Sequence, residues 1–101
     1  MLTYNKLVRD KIPEILDKKG VLYEKKIASE DEYRFELMKK LAEEVTEFSE
    51  AKNSEELADI IEVIESLKKL PEFNDAESVR QNKRQEKGGF DSRIILKGTK
   101  D

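Results

Sequence analysis

The sequence predicts a mainly α protein, a small helical bundle with one short β-ribbon. Three observations carry this. Leu37, Leu41, Val45 and Phe48 recur at helical spacing, and so do Leu57, Ile60, Ile61, Ile64 and Leu67. Polar capping signals stand in front of both runs. Only two short segments, 21–27 and 93–97, read as strands.

Taken in order, Asp10 caps a short first helix over 11–19, with Pro13 in its first turn and Gly20 at its end. Val21, Tyr23 and Ile27 then space out as a strand, and Arg93-Ile-Ile-Leu96 supplies its partner. Such a ribbon is marginal alone and must pack on helices. Ser29-Glu-Asp-Glu32 is a capping box that opens a long helix. Lys52-Asn53 interrupts the pattern, Ser54 caps the next helix, and Pro71 stops it. Asn74-Asp-Ala-Glu77 is another capping box, with Asn74 as the cap, and opens a last, very polar helix that ends at Gly88-Gly89.

A chain of 101 residues makes one domain the expectation, residues 1–101. Charged residues are 43% of it and apolar ones 37%, so the core is thin. There is no Cys and no His. Disulfides, thiolate zinc, imidazole ligands and Ser–His or Cys–His catalysis are therefore excluded, and any metal must be held by oxygen. No run approaches a membrane span, and residues 1–6 hold no hydrophobic signal region. The expectation is a cytoplasmic protein without a membrane partner.

Charge is segregated. Residues 30–65 hold thirteen acids and four bases, whereas residues 80–101 hold seven bases and three acids. The acidic centre argues against nucleic acid as a partner, and the basic end lacks interleaved aromatics. The placement of the acids is more telling. Glu44 falls beside Leu37 on the long helix and Glu47 on the border of its apolar stripe, while Glu56 falls inside the stripe of the next helix and Asp59 at its edge. Each pair is spaced i,i+3 and shares a face. In a hairpin turning at Lys52-Asn53 the two pairs face each other, so four carboxylates converge. That is tolerable with a divalent cation, with basic partners such as Lys39, Lys40 or Lys52, or with protonation.

Glu43-Glu-Val-Thr-Glu47 followed by Glu56-Leu-Ala-Asp59 resembles the EExxE…ExxD pattern of the all-α nucleoside triphosphate pyrophosphohydrolases, the MazG-like superfamily. Tyr4-Asn-Lys-Leu-Val-Arg-Asp-Lys-Ile-Pro13 and Lys83-Arg-Gln-Glu-Lys-Gly-Gly-Phe90 resemble the opening and closing segments of its small phosphoribosyl-ATP pyrophosphohydrolase-like members. The resemblance implies hydrolysis of the α–β phosphoanhydride to a monophosphate and pyrophosphate, in a house-cleaning role. It implies Mg²⁺, or Mn²⁺, on Glu44, Glu47, Glu56 and Asp59, with Glu43 in support. Glu47 is the preferred residue to orient or deprotonate the attacking water, with Glu44 as the alternative. Eight residues separate EExxE from ExxD, fewer than in larger MazG proteins, so substrate preference does not transfer.

A triphosphate needs cations, and Lys6, Arg9, Lys83, Arg84 and Lys87 are the candidates. Asn5 suits a base or sugar, or caps a turn. Tyr4, Tyr23, Tyr33, Phe35 and Phe90 are candidates for base stacking or for the core. Two other readings compete: phosphoribosyl-ATP hydrolysis, and a non-catalytic helical interaction module. A homodimer or homotetramer is expected, formed through Leu37, Leu41, Val45 and Phe48 with Ile60, Ile61, Ile64 and Leu67.

Overall fold

In the computed structural model, residues 5–98 are described. They form helices α1 (Ile12–Lys18), α2 (Glu30–Ala51), α3 (Ser54–Lys68) and α4 (Ala76–Lys87), with one 3₁₀ turn at Pro71–Phe73 between α3 and α4. The fold is mainly α, as the periodicity requires. Tyr4 lies outside the described residues.

The Ser29 capping box forms in full: its hydroxyl accepts from the Glu32 amide at 3.2 Å, and the Glu32 carboxylate accepts from the Ser29 amide at 3.2 Å. Lys52 ends α2 in the left-handed conformation at φ 53°. This turns the chain at once into α3, so α2 and α3 run antiparallel as a hairpin. The capping residue of α3 is Asn53 rather than Ser54. Its side-chain oxygen accepts from the Glu56 amide at 2.9 Å. The reason is local: the left-handed Lys52 leaves Asn53 extended at φ −128°, as a capping residue must be, whereas Ser54 is already helical. We expect Asn53→Ala to cost about 1 kcal/mol and Ser54→Ala only a few tenths, read from urea unfolding.

Two other caps differ from expectation. Lys11, not Asp10, precedes α1, and Asp75, not Asn74, precedes α4; neither side chain makes a capping hydrogen bond. Gly20 and Gly88 take φ of 71° and 80° at the ends the sequence assigns them.

The β-ribbon does not form. Residues 21–27 and 93–97 carry no strand among the described residues. Tyr23 turns back instead, its hydroxyl donating to Asp17 Oδ1 at 2.7 Å and lying 3.2 Å from the Pro13 carbonyl oxygen. Ile94, Ile95 and Leu96 stay 78–87% exposed.

The molecule is drawn out to 65 × 32 × 21 Å with a radius of gyration of 18.4 Å, against roughly 13 Å for a compact chain of this length. The seam between α2 and α3 is its core, and among the described residues Leu37 and Val63 are the only buried apolar ones, at 2% and 8% exposure. Leu41, Phe48, Ile60 and Leu67 are half-buried. Part of the surface expected to bind a second copy is therefore already used inside the hairpin. Ion pairs tie on the outer elements. Arg34 of α2 reaches Glu72 in the 3₁₀ turn. Lys68 of α3 lies 3.5 Å from Glu77 of α4. Arg80, hydrogen-bonded to Glu77, holds that carboxyl down to about 2, so the pair stays charged through ordinary acidity. No helix among the described residues is long and apolar enough to cross a membrane.

Candidate metal centre

Three of the four converging acids come together. Carboxylate oxygens of Glu44, Glu56 and Asp59 all lie within 4.8 Å of one another. Glu44 projects from α2 two turns before the hairpin bend, and Glu56 and Asp59 from the first two turns of α3. The capped start of α3 fixes their phase, since Glu56 is the residue whose amide Asn53 holds.

Burial makes the group unusual. Glu44 is only 6% exposed, while Glu56 and Asp59 are half-buried. The Oε2 atoms of Glu44 and Glu56 are both buried and without a hydrogen-bond partner. A buried carboxylate oxygen without a donor is costly. Burial pushes the Glu44 carboxyl above the usual range, and the charge of Glu47 pushes it further, with Lys40 opposing.

Two cations touch the group. Lys40 Nζ lies 3.5 Å from Glu44 Oε1, one helical turn away. Arg9 Nη2 lies 2.7 Å from Asp59 Oδ1, and Arg9 Nη1 lies 3.7 Å from Glu62 Oε1. Neither reaches the two orphaned oxygens. A hard divalent cation takes several oxygen ligands of this kind, so the three acids form a donor set that could hold such an ion.

The remaining candidates are distributed as follows. Glu47 is exposed on α2, close enough to Glu44 for its charge to be felt there. Glu43 is half-buried on α2. Asn5 and Lys6 are exposed, in the segment that leads to Arg9. Lys83, Arg84 and Lys87 lie on α4 and line an open groove of about 520 Å³ with Arg80, Gly88, Gly89, Phe90 and Asp91. Arg84 is 3.5 Å from Asp91. No hydrogen bond or ion pair among the described residues joins Lys83, Arg84 or Lys87 to the carboxylates. Tyr33 is half-buried, whereas Phe35 and Phe90 are 66% and 97% exposed. Helical phase alone shows Lys40 beside Glu44, since the spacing is i,i+4. The pairing of Arg9 with Asp59 spans 50 residues and leaves no local signal.

No family model, no curated protein and no solved structure matches this chain. The resemblance to the MazG-like superfamily thus rests on the three sequence segments themselves.

Proposed function

We propose that the protein is a divalent-metal-dependent nucleotide pyrophosphohydrolase that cleaves the α–β phosphoanhydride of a nucleoside triphosphate or related nucleotide. The observation that carries this reading is the pair of orphaned buried oxygens on Glu44 and Glu56 beside Asp59. Glu44, Glu56 and Asp59 hold the metal in this account, with Glu47 as a further ligand or as the base. Mg²⁺ or Mn²⁺ bound there supplies charge neutralisation at the phosphate oxygens.

The chain's own groups do the rest. Glu47, exposed at the rim, accepts the proton of the attacking water. Glu43 supports it from the same turn. The Arg9 guanidinium turns from Asp59 to a phosphate oxygen, for which its fork of donors is suited. Asn5 and Lys6 hold the base, sugar or outer phosphate, and the Lys83, Arg84 and Lys87 face of α4 meets the released pyrophosphate.

The test is pyrophosphate release from a panel of ribo- and deoxyribonucleoside triphosphates and phosphoribosyl-ATP, with and without Mg²⁺. Metal-dependent release from one class supports the reading and names the substrate. Release from phosphoribosyl-ATP alone assigns the alternative enzyme. No release from any member, with metal present, leaves the non-catalytic helical module, which the Arg9–Asp59 and Lys40–Glu44 pairs favour because they already offset two of the three acids.

A further inference from the structure

The two cations at the carboxylate group are held in different ways. Lys40 belongs to α2 itself and meets Glu44 one turn away, where both side chains are largely covered. Arg9 comes from outside the hairpin. Its side chain is 55% exposed, it reaches Asp59 Oδ1 through Nη2, and its Nη1 already lies 3.7 Å from Glu62 Oε1. An exposed ion pair of this kind is weak and readily exchanged. Glu62 lies three residues beyond Asp59 on α3, about 4.5 Å farther along the helix axis. Arg9 therefore has a second acidic partner one turn away from the carboxylate group.

Charge gives the reason for an exchange. Glu44, Glu56 and Asp59 stand within 4.8 Å of one another, and Arg9 and Lys40 bring two positive charges to their edges. A divalent ion brings the same two charges to one point, and to the buried, orphaned oxygens of Glu44 and Glu56 that neither side chain reaches. An Asp59 carboxylate shared with such an ion has less negative charge to offer a guanidinium, and the ion repels it. The arm that carries Arg9 is free to respond. α1 makes no extended packing against α2 or α3. It closes on itself instead, with the Tyr23 hydroxyl donating to Asp17 at 2.7 Å. Residues 24–27, which lead on to α2, are exposed and non-helical.

We propose that Arg9 is a displaceable stand-in for the metal: in the metal-free protein it latches the N-terminal arm to Asp59, and it gives up Asp59 for Glu62 when a divalent ion enters the carboxylate group. The latch rests on the proposed metal site and adds a regulation to it. Arm and ion compete for Asp59, so each weakens the other by the same factor. The exchange also frees the Arg9 guanidinium for a phosphate oxygen only once the ion is in place, and shifts Asn5 and Lys6 with it. Binding thus takes an order, ion first and nucleotide second, set by a contact that spans 50 residues.

Nitroxide mobility on the arm and affinity for Mn²⁺ test this separately. The chain has no cysteine, so Asp10→Cys, exposed next to Arg9 in the arm, takes a single spin label. Mg²⁺ added at constant ionic strength is expected to sharpen the spectrum of that label, and chelation to reverse the change. With Arg9→Gln added, the spectrum is expected to be sharp with or without Mg²⁺. Arg9→Gln alone is expected to bind Mn²⁺ about threefold to fivefold tighter than wild type, as loss of an exposed ion pair allows. Lys11→Gln, the same change of charge two residues away, is expected to leave the affinity unchanged. Should Arg9→Gln unfold, the label with Arg9 in place decides by itself. Mn²⁺ binding with an unmoved label, equal tightening in Lys11→Gln, or weaker binding in Arg9→Gln would overturn the latch and leave the metal site standing. Absence of Mn²⁺ binding to the wild type would overturn the metal site, and the latch with it.

Discussion

Asp59→Asn is expected to abolish metal-dependent pyrophosphate release while the helical content survives. Asp59 is half-buried and supplies one of the three convergent carboxylates. An amide keeps its shape but withdraws an anionic ligand. It also weakens the Arg9 pair on Nη2, an exposed contact worth at most about 1 kcal/mol, so global unfolding is not the expected result. Glu47→Gln tests a different role. A lost general base lowers the rate by about 10²–10⁴, and metal affinity should fall much less than in Asp59→Asn. Steady-state kinetics over a Mg²⁺ series separates the two. Parallel loss of helicity and activity in both variants would make these residues structural.

The second large effect is on stability, and its sign depends on metal. Burial and the Glu47 charge hold the Glu44 carboxyl above 4.5. The folded state therefore keeps this proton more tightly than the unfolded chain does. By linkage, the metal-free protein is most stable at this site below pH 4.5 and loses stability as pH rises through the raised value. Glu44→Gln removes that dependence and should stabilise the metal-free protein at neutral pH. With the ion bound the ranking reverses. Wild type should gain roughly 2–3 kcal/mol near 100-fold saturation by Mg²⁺ or Mn²⁺, and Glu44→Gln should gain little. Thermal unfolding of both proteins, with and without metal at two pH values, reads all four states. A wild type unmoved by millimolar metal would count against the site.

The long helix and its capping box were legible because their determinants are local. The Ser29 hydroxyl and Glu32 carboxylate satisfy amides within one turn, and the apolar spacing of α2 and α3 sets their phase. The same phase located Glu44, Glu56 and Asp59, since the turn at Lys52-Asn53 fixes which turns of the two helices meet. It also orders Glu44, beside Leu37, ahead of Glu47 on the border of the stripe, and the structure buries Glu44 and exposes Glu47. Asn53 and Ser54 are neighbours of similar capping chemistry, and the left-handed Lys52 decides for Asn53 rather than the expected Ser54. The ribbon was misread because strand pairing is a long-range property. Val21, Tyr23 and Ile27 are spaced as in a strand and Ile94-Ile-Leu96 is a short apolar run, yet nothing local in either one compels the other to pair with it. Arg9 against Asp59 was hidden for the same reason, as a contact across 50 residues.

The proposed chemistry requires Glu44, Glu56 and Asp59 to hold a divalent ion. Titration of protein into Mn²⁺, followed by the electron paramagnetic resonance signal of the free ion, tests this directly and needs no substrate. The signal is expected to fall as wild-type protein is added, to recover on addition of excess Mg²⁺, and to stay nearly unchanged with Glu44→Gln/Asp59→Asn. An undiminished signal with wild type, or an equal fall with the double variant, would contradict the central claim.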